Sequence, residues 1–597
     1  ISCSLVGSEM CIRDSYIINH FQGLDDVGFY SLGYKVGNTL KVFIVTSVQL
    51  ALTPLLMKKM NDPDNKRFYS KVLTYFSFGL MFCALGLNLF SREGIVWVTT
   101  NPDYIEALYV IPFVTYAIFF SMMRECCMIG LQIMKKTKII CSIGPASGNV
   151  EVMEQLVLSG MNCARINLSH ATEESALETI EVVREVRRKT GMPVAILYDT
   201  KGPEFRTGNF ETEDGVKVSI GDTIKMVEEE VVCNREHFCV NHPEAIERIE
   251  VGSHVLVDNA LLDLEVIEKG EGYVTLKAIN NGEIKSHKTL NVPGIDLNLP
   301  FISDIDRKDI EFAATHSCDY LALSFVNTPE DVIAARKIVE DAGGDARIIS
   351  KIESQMGIDN IDEIISVSDG IMIARGDLGV EVPMEELPIL QKQIIQKCRE
   401  HGKFAIVATE MLASMYTSPR PTRAEVTDIA NAVIDGTDCV MLSGETTVGK
   451  YPIDAVKYMA RICEHVESTI DYSKHVQYKR KIAISDTIAK LAVDAVEYDD
   501  IKLIVTTTMS GYTARKVSNL RPNCTILACC PSNHIAEKVA LNFGVKPVVT
   551  EVYESTDEMI EASKKIAQEQ FNLQKGDLIL LTGGCLLYTS DAADEAR

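Results

Sequence analysis

The segment RIISKIESQMGIDNIDEIISVSDGIMIARGDLGVE, residues 347–381, decides how the rest of the chain is interpreted. Its pattern predicts a strand, a short helical stretch, and a second strand that ends in a Gly-Asp turn and another helix. In the first strand, the two-residue alternation places Lys351 and Glu353 on one face and sends Ile352 to the other. A cation and a carboxylate are therefore expected to share one pocket wall.

The second strand of this segment, Gly370 to Ala374, brings Gly376 and Asp377 to its carboxyl end. We expect the carboxylates of Glu353 and Asp377 to hold one hard divalent cation beside Lys351. Such a cluster suits phosphoryl transfer, in which a metal and a lysine neutralise charge on the moving group. A Lys-x-Glu pair on a strand is also typical of a solvated surface, but the flanking apolar run favours a buried strand.

The composition indicates a globular chain of several domains. Its 597 residues exceed one ordinary domain, and 46% hydrophobic with 24% charged residues is typical of globular proteins. The formal net charge of -24 disfavours nucleic acid as a partner. A small anionic substrate remains open if the site is locally basic. The 17 cysteines lack the paired spacing of zinc sites, which favours reduced thiols and a cytoplasmic location.

The first 133 residues differ in character from the rest of the chain. Three apolar segments, Thr39 to Met57, Val72 to Phe90 and Tyr104 to Met123, approach the roughly 20 residues that span a bilayer. The segments GFYSLGYKVGNTL and LTPLL resemble part of a polysaccharide flippase. Residues 1–133 are therefore predicted to form hydrophobic helices, with buried helices of a soluble domain as the alternative. Membrane association is expected only if this leader belongs to the protein.

The extreme ends look unlike evolved protein sequence. SLVGSEMCIRDS near the start and CLLYTSDAADEAR at the end show neither helix nor strand periodicity and resemble translated adapter sequence. Met134 reads as a natural start that precedes a first strand. We therefore expect a fusion whose working part begins at Met134 and whose sequence is non-native from about residue 585.

From Met134 onward, β-type runs alternate with amphipathic helical runs, which predicts an α/β protein built on a (β/α)8 TIM barrel. In such barrels the chemistry lies at the carboxyl ends of the strands, and polar residues collect there in this sequence. The predicted strands are Lys138 to Ile143, Cys163 to Ser169, Val194 to Thr200, Tyr320 to Phe325, Arg347 to Glu353, Gly370 to Arg375, Phe404 to Thr409 and Cys439 to Ser443.

Polar residues follow the second and third predicted strands. Arg165, Asn167 and Ser169 share one face of the second strand, although a surface strand would alternate in the same way. Asp199 and Thr200 end the third strand. The oxygen donors of these two strands suit a hard cation.

Two further domains are predicted beside the barrel. Short alternating strands and an Asn281-Gly282 hairpin signal predict a small inserted β-barrel domain, which would act as a lid that excludes water, or else as a passive decoration. From about Lys481 a separate open α/β sheet follows. The predicted boundaries are 1–133 for the leader, 134–203 and 300–472 for the barrel, 204–299 for the lid domain and 473–597 for the C-terminal α/β domain.

A loop in the C-terminal domain favours a phosphate group. Hydroxyls, a glycine and a helix N-terminus come together there, although helix capping uses the same residue types. The loop residues are Thr508, Ser510, Gly511, Tyr512 and Thr513.

From Met134 to about Gly584 the chain resembles the pyruvate kinase family. The resemblance is carried by KTKIICSIGPAS, ARINLSH, DTKGPEFRTG, ISKIE, ARGDLGVE, PRPTRAEVTDIANAVIDG and MLSGET, in this order. It implies transfer of the phosphoryl group of phosphoenolpyruvate to ADP, giving pyruvate and ATP, with Mg2+ and K+ as cofactors. It also implies a homotetramer regulated by an effector.

The resemblance assigns roles to individual residues. Lys351, Thr409 and Arg165 would be catalytic, and Lys351 would stabilise the phosphoryl group and the enolate. Substrate would contact Arg165, Lys351, Gly376, Asp377, Thr409 and Ser443; nucleotide would contact Arg206, Asn167 and His170; Mg2+ would bind Glu353 and Asp377; K+ would bind Asn167, Ser169, Asp199 and Thr200; and an effector phosphate would bind Thr508, Ser510, Gly511, Tyr512 and Thr513.

Some positions carry further information or depart from the family pattern. Glu204 in TKGPE is the residue of K+-dependent members, which predicts potassium dependence. Glu410 stands where Gln is usual, and Phe205 where Ile is common. The glycine-rich loop expected after Gly584 is replaced, which puts effector binding in doubt. A metal-dependent aldolase acting on an enolpyruvate and a transporter fragment are the alternative functions.

Overall fold

The structure, a computed structural model, describes residues 31, 65–98, 102–116, 119, 135–212, 214–472, 478, 483–499, 501–553, 555–571, 573 and 576–583. The chain divides into two compact units, 1–133 with 564–576, and 134–563 with 577–597. The predictions that lie outside the described residues include the apolar segment Thr39 to Met57, the end of the segment Tyr104 to Met123, and the two adapter-like ends.

The described residues of the first unit include a long helix, α1 (Asn65–Val98), followed by a 3-10 helix at Pro102–Tyr109. The apolar segment Val72 to Phe90 lies within α1, and large side chains such as Phe78 and Phe82 are exposed on it. In the described part of the chain, no helix combines the length and apolar character that crossing a membrane requires. The prediction of hydrophobic, membrane-spanning helices in this unit is therefore not supported.

The second unit is built on a closed barrel of eight parallel strands. Each strand hydrogen-bonds to its two neighbours, and the last strand pairs with the first through Lys138↔Cys439 to Cys141↔Leu442. This closure confirms the predicted barrel. The strands are β1 (Lys138–Ser142), β2 (Cys163–Asn167), β3 (Ala195–Asp199), β12 (Tyr320–Leu323), β13 (Arg347–Ile352), β14 (Gly370–Ala374), β15 (Phe404–Ala408) and β16 (Cys439–Leu442), with β4 to β11 inserted after β3.

Helices surround the barrel and begin and end where the sequence caps them. Ser303 and Asp306 form a reciprocal capping box, and the helices that follow β2, β14 and β15 end at glycines with positive φ, where a side chain would be strained. The helices are α2 (Val150–Leu158), α3 (Glu173–Thr190), α4 (Asp304–Thr315), α5 (Pro329–Asp341), α6 (Gln355–Asp359), α7 (Ile361–Val367), α8 (Arg375–Glu381), α9 (Leu387–His401), α10 (Arg423–Asp435), α11 (Gly444–Thr447) and α12 (Pro452–Glu467), with a 3-10 helix at Ala413–Tyr416.

The alternation within the strands separates two apolar layers. Ile352 of β13 packs in the layer between strands and helices, whereas Ile349 packs inside the barrel. The interior cluster also contains Ala540 and Leu541 from the C-terminal domain. Ile349, Lys351 and Glu353 therefore point inward, as the alternation predicts.

The inserted domain forms a six-stranded sheet, in the order β11-β7-β8-β9-β5-β6, and a two-stranded sheet of β4 and β10. Residues 206–207 bridge the two ends of this sheet, since Arg206 pairs with Thr289, the residue before β11, and Thr207 pairs with Val240, the residue after β6. These bridges close the sheet, in agreement with the predicted small β-barrel. The strands are β4 (Val216–Val218), β5 (Thr223–Val227), β6 (His237–Cys239), β7 (His254–Val257), β8 (Leu262–Gly270), β9 (Tyr273–Ala278), β10 (Gly282–Ile284) and β11 (Leu290–Asn291), with a 3-10 helix at Pro243–Arg248.

The C-terminal part forms a four-stranded parallel sheet in the order β19-β18-β17-β20, which confirms the predicted open α/β sheet. Its strands are β17 (Ile501–Thr507), β18 (Thr525–Cys530), β19 (Val545–Val549) and β20 (Leu578–Gly583). Its helices are α13 (Ile484–Tyr498), α14 (Tyr512–Asn519), α15 (Asn533–Lys538) and α16 (Thr556–Phe571).

Candidate active site

Lys351 lies near the end of β13 and is buried, with 9% of its surface exposed. Its Nζ lies 3.1 Å from Asp199 Oδ1, 3.0 Å from Glu353 Oε1 and 2.7 Å from Ser324 Oγ. Burial alone would lower the pKa of this ammonium group, but the two carboxylates outweigh burial and raise it above its ordinary value. Lys351 is therefore a fixed positive charge at neutral pH, and the solvated surface pair is excluded.

Glu353 follows β13 and is 1% exposed. Its Oε2 accepts a 2.7 Å hydrogen bond from the Phe325 N–H, while its buried Oε1 has no hydrogen-bond partner besides the ionic contact with Lys351. Burial raises the pKa of Glu353 to about 7; Lys351 opposes the shift, and the nearby carboxylate of Asp377 adds to it. A buried carboxylate oxygen without a hydrogen bond, close to a second carboxylate, fits a hard divalent cation.

The described residues contain no group of three or more His, Cys, Asp or Glu side chains arranged to hold a metal. Mg2+ is commonly held by one or two carboxylates, with substrate phosphates and water completing its shell. Glu353 and Asp377 would supply that pair.

Asp199, the last residue of β3, contacts both cationic side chains of the site, Arg165 and Lys351. Its Oδ2 accepts a 2.7 Å hydrogen bond from Arg165 Nε, and its Oδ1 accepts one of 3.1 Å from Lys351 Nζ. Burial alone would raise the pKa of Asp199, but Arg165 and Lys351 hold it below its ordinary value. The carboxylate thus stays ionised and fixes both cations.

The predicted potassium ligands lie together at the ends of β2 and β3. Asn167 and Asp199 are register partners, and Ser169 follows in the turn after β2, where its N–H donates to Asn167 Oδ1 at 3.3 Å. Thr200 accepts hydrogen bonds from Ser324 at both its carbonyl and its hydroxyl oxygen. His170, predicted for nucleotide, follows in the same turn and is exposed.

Thr409 follows β15 with a φ of 71°, and Glu410 after it has a φ of 54°. Left-handed backbone at two successive residues with side chains costs energy, so other contacts must hold it. The Gly376 N–H donates to Thr409 Oγ1 at 2.8 Å, and Arg375 donates to the Thr409 carbonyl at 2.9 Å. Arg375 is itself fixed by two hydrogen bonds to Asp428, of 2.6 and 2.7 Å.

Ser443 follows β16 and is oriented by Glu445. The Ser443 N–H donates to Glu445 Oε2 at 2.8 Å, while Glu445 Oε1 accepts from the Leu412 N–H at 2.9 Å. Glu445 is 1% exposed. Its carboxylate therefore ties the segment after β16 to the segment that carries Thr409.

The inserted domain contributes Arg206. Its guanidinium makes two hydrogen bonds to Glu204, of 2.9 and 2.7 Å, and Lys201 lies 3.4 Å from the same carboxylate. The domain also contacts the helix that carries Asp377, because Asn291 Nδ2 donates to Glu381 Oε1 at 2.9 Å. These contacts place the inserted domain beside the carboxyl end of the barrel.

The predicted phosphate loop joins β17 to α14. Thr508 Oγ1 accepts a 2.9 Å hydrogen bond from the Gly511 N–H, and Gly511 has a φ of 84°. The Thr508 hydroxyl thus closes the turn that starts α14. Binding of an effector phosphate by Ser510, Tyr512 and Thr513 stays a prediction.

Sequence reasoning missed three polar residues in the site. Ser142, Ser324 and Glu445 hold Arg165, Lys351 and Ser443 respectively. The signal was available, since all three lie at or just after the ends of predicted barrel strands, as the predicted residues do.

A closed parallel barrel with a buried lysine, a fixed arginine and a pair of carboxylates at its carboxyl end defines a class of barrel enzymes suited to phosphorylated substrates. Comparison with known families agrees. Residues 134–456 match the pyruvate kinase barrel domain, and residues 486–597 match the pyruvate kinase alpha/beta domain. The chain belongs to the pyruvate kinase family, which decides against the aldolase alternative.

Individual relatives support this assignment. The chain is 43% identical over 457 residues to a pyruvate kinase of Staphylococcus epidermidis, covering 76% of this chain and 78% of the relative. It is 42% identical over 459 residues to that of Bacillus licheniformis, with the same coverage. A crystal structure of a pyruvate kinase from Cryptosporidium parvum aligns with a TM-score of 0.73 at 39% identity, covering 76% of this chain and 94% of that one.

The family matches also correct two expectations. They begin at residue 134, so the resemblance of the first 133 residues to a flippase gains no support. The second match reaches residue 597, whereas the resemblance was expected to stop near Gly584. The described residues end before that last stretch, at residue 583.

Proposed function

We propose that the chain transfers the phosphoryl group of phosphoenolpyruvate to ADP, giving pyruvate and ATP in the last step of glycolysis, and that the residues at the carboxyl end of the barrel carry this reaction. The observation that carries the proposal is Lys351, a buried ammonium group between Asp199 and Glu353. Its raised pKa keeps it charged, so it offsets negative charge on the phosphoryl group and on the enolate that forms. Arg165, fixed by Asp199, contacts the phosphoryl group.

Mg2+, or Mn2+ in its place, is held by Glu353 and Asp377 in this proposal. When bound, the ion would neutralise negative charge on the transferred group. The substrate carboxylate lies against Gly376, Asp377 and Thr409. The buried Glu353 Oε1, which lacks a hydrogen bond, supports the assignment of the metal.

K+ is held by Asn167, Ser169, Asp199 and Thr200. All four present oxygen atoms at neighbouring strand ends, which suits a hard cation. Glu204 supports potassium dependence, because a carboxylate cannot replace the ion as an ammonium group would. The nucleotide contacts Arg206, Asn167 and His170.

After phosphoryl transfer, the enolate accepts a proton at carbon 3. Thr409 and Ser443 hold the hydroxyl groups that serve this step, directly or through bound water. The inserted domain closes over the site as a lid and excludes water. Its contact with Glu381, on the helix of Asp377, supports that position.

The remaining assignments concern organisation. Residues 134–203 and 300–472 form the barrel, 204–299 the lid, 473–597 the effector and oligomerisation domain, and 1–133 a leader foreign to the enzyme. The chain forms a cytoplasmic homotetramer. Ile484, Ile488 and Leu491 expose an apolar stripe on α13, which supports association with a second copy. An effector phosphate binds the loop of Thr508 to Thr513.

The test is pyruvate formation from phosphoenolpyruvate and ADP, with Mg2+, in the presence and absence of K+, by the full chain and its Lys351→Met variant. We expect K+-dependent activity in the parent and a loss on the order of 10³-fold in the variant, since the main fixed charge at the transferred group is removed. The matched control is Lys397→Met, because Lys397 lies on the surface in an ion pair with Asp362. The control should keep parental activity.

A folded parent without activity would contradict the proposed reaction. Equal activity in the parent and Lys351→Met would contradict the role of the lysine alone. Activity that ignores K+ would contradict the potassium site and leave the phosphoryl transfer intact.

A further inference from the structure

Ser142 ends strand β1 and lies directly beside Arg165 in the parallel register of β1 and β2. Ile140, two residues earlier, points into the barrel, so Ser142 points inward at the carboxyl mouth. The residue is 3% exposed, and its Oγ accepts a 2.7 Å hydrogen bond from Arg165 Nη1. The hydroxyl is therefore part of the same buried network as Asp199 and Lys351.

The Arg165 guanidinium is held at two separate nitrogen atoms. Nε donates to Asp199 on β3, and Nη1 donates to Ser142 on β1, each at 2.7 Å. A guanidinium group held at one nitrogen can turn about that contact, whereas two contacts on opposite neighbouring strands fix its plane. Two of its five N–H groups are used in this way, and the others remain to form a fork for phosphate oxygens.

The anchor on β1 is itself rigid. Thr446 Oγ1 donates to the Ser142 carbonyl at 2.8 Å, which ties the end of β1 to the segment after β16. The hydrogen-bonded register of β1 with β16 continues to Cys141, the residue before Ser142. Ser142 is thus held on both sides, and it can hold Arg165 without rearranging.

We propose that Ser142 is a positioning residue that sets the plane of the Arg165 guanidinium for the phosphoryl group of phosphoenolpyruvate. The inference rests on the proposed function and adds a residue to which that function gave no role. Ser142 touches no reacting atom in this proposal. Its effect is therefore expected on binding of phosphoenolpyruvate and not on binding of ADP.

The experiment measures kcat and the separate KM values for phosphoenolpyruvate and ADP in the full chain, Ser142→Ala and Ser142→Thr. In Ser142→Ala we expect the KM for phosphoenolpyruvate to rise roughly five- to tenfold, the size of one lost hydrogen bond. The KM for ADP should be unchanged. Ser142→Thr keeps the hydroxyl on a residue that suits a strand, and should restore the parental value.

A second arm tests the same inference in an Arg165→Lys background. Lysine has no planar fork to orient, so Ser142→Ala should add little to the KM for phosphoenolpyruvate there. An unchanged KM for phosphoenolpyruvate in Ser142→Ala would overturn the inference. An equal rise for ADP, or a full effect in the Arg165→Lys background, would overturn it as well. A parent chain that forms no pyruvate would overturn the proposed function together with the role of Ser142, so the two failures are distinguishable.

Discussion

At the amino ends of the barrel strands, one polar arrangement repeats with the strand pairs, whereas at the carboxyl ends each strand carries a different set of side chains. In each case an Asp or Asn stands just before one strand of a neighbouring pair. Its side chain accepts a hydrogen bond from a backbone N–H of the other strand, the one that precedes it in the barrel. The four pairs are Asn162 with Ile139, Asp319 with Ile196, Asp369 with Ile348 and Asp438 with Ala405, at 3.0, 2.8, 2.9 and 2.8 Å.

Each of these side chains also has a cationic partner. The partners come from different helices and loops, so the arrangement is a property of the barrel and not of one local sequence. The contacts are Lys135 with Asn162 at 2.7 Å, Arg187 with Asp319 at 3.5 Å, Arg336 with Asp369 at 2.9 Å and Arg521 with Asp438 at 2.9 Å.

The difference separates two uses of buried charge. At the amino end, a carboxylate or amide, a backbone N–H and a cation satisfy one another, which stabilises the strand pairs. At the carboxyl end, Glu353 keeps a buried oxygen without a hydrogen bond, and Thr409 and Glu410 keep left-handed backbone. Unsatisfied and strained groups are costly in a folded protein and are typical of sites that bind a ligand.

The strongest test of this difference removes a cation from the amino end. Arg521 is buried, pairs with Asp438, and donates to the carbonyls of Gly436 and Thr437. Arg521→Met should lower the free energy of unfolding by about 4 kcal/mol, because it leaves a buried carboxylate without its cation. The activity of the folded enzyme at 25 °C should stay within twofold of the parent. Thermal unfolding and steady-state kinetics measure the two effects.

The matched control for this variant is Arg188→Met, because Arg188 is exposed and pairs only with Glu185 on its own helix. An exposed pair of this kind contributes about 0.5 kcal/mol or less. Loss of activity in folded Arg521→Met would contradict the separation of the two ends.

The same contrast explains which parts of the molecule the sequence predicts. Seven of the eight barrel strands begin at the predicted residue, because the inward and outward apolar pattern starts there. Every one of the eight ends one or two residues earlier than predicted. Residues such as Glu353, Thr409 and Ser443 continue the alternating pattern in sequence but leave the hydrogen-bonded ladder to face the site.

The amino-end arrangement was not predicted at all. An Asp between a helix and a strand, as in Asp319 or Asp438, is typical of a loop, and nothing local indicates its burial. The cations come from far along the chain, as Arg521 does for Asp438.

The second test concerns the charge of Asp319. Burial raises its pKa to about 7, with Arg187 opposing the shift, so the folded protein binds this proton more tightly than the unfolded chain. The stabilising contribution of this group is fully present below its unfolded-state pKa of about 4. It is lost as pH rises through the folded-state pKa, and the free energy of unfolding falls by about 2 kcal/mol between pH 5 and 7. In Asp319→Asn the free energy of unfolding should depend less on pH over this range. The variant should fold, because an amide occupies the equivalent position at Asn162. Thermal unfolding from pH 5 to pH 8 measures the difference.

Asp369→Asn is the matched control for Asp319. Burial alone would raise the pKa of Asp369, but Arg336 and the Ile348 N–H outweigh it and hold the pKa below its ordinary value. Its contribution is therefore fully present from pH 5 to pH 8 and is lost only at lower pH, as pH falls through the folded pKa, so Asp369→Asn should leave the slope of stability against pH over this range as in the parent. Parallel profiles for both variants would contradict the assignment of the charge to Asp319.

The smallest expected effect tests the strain at the carboxyl end. Glu410 is exposed with a φ of 54°, and its neighbour Thr409 makes the contact with Gly376. Asn tolerates left-handed backbone better than Glu, so Glu410→Asn should stabilise the protein by a few tenths of a kcal/mol, up to about 1. Glu410→Gln removes the charge but keeps the strain, and should leave stability unchanged. If the strain serves the site, Glu410→Asn should gain stability while kcat falls, since a relaxed turn holds Thr409 less firmly in place. A gain in stability with kcat unchanged would contradict a role of this strain in the site.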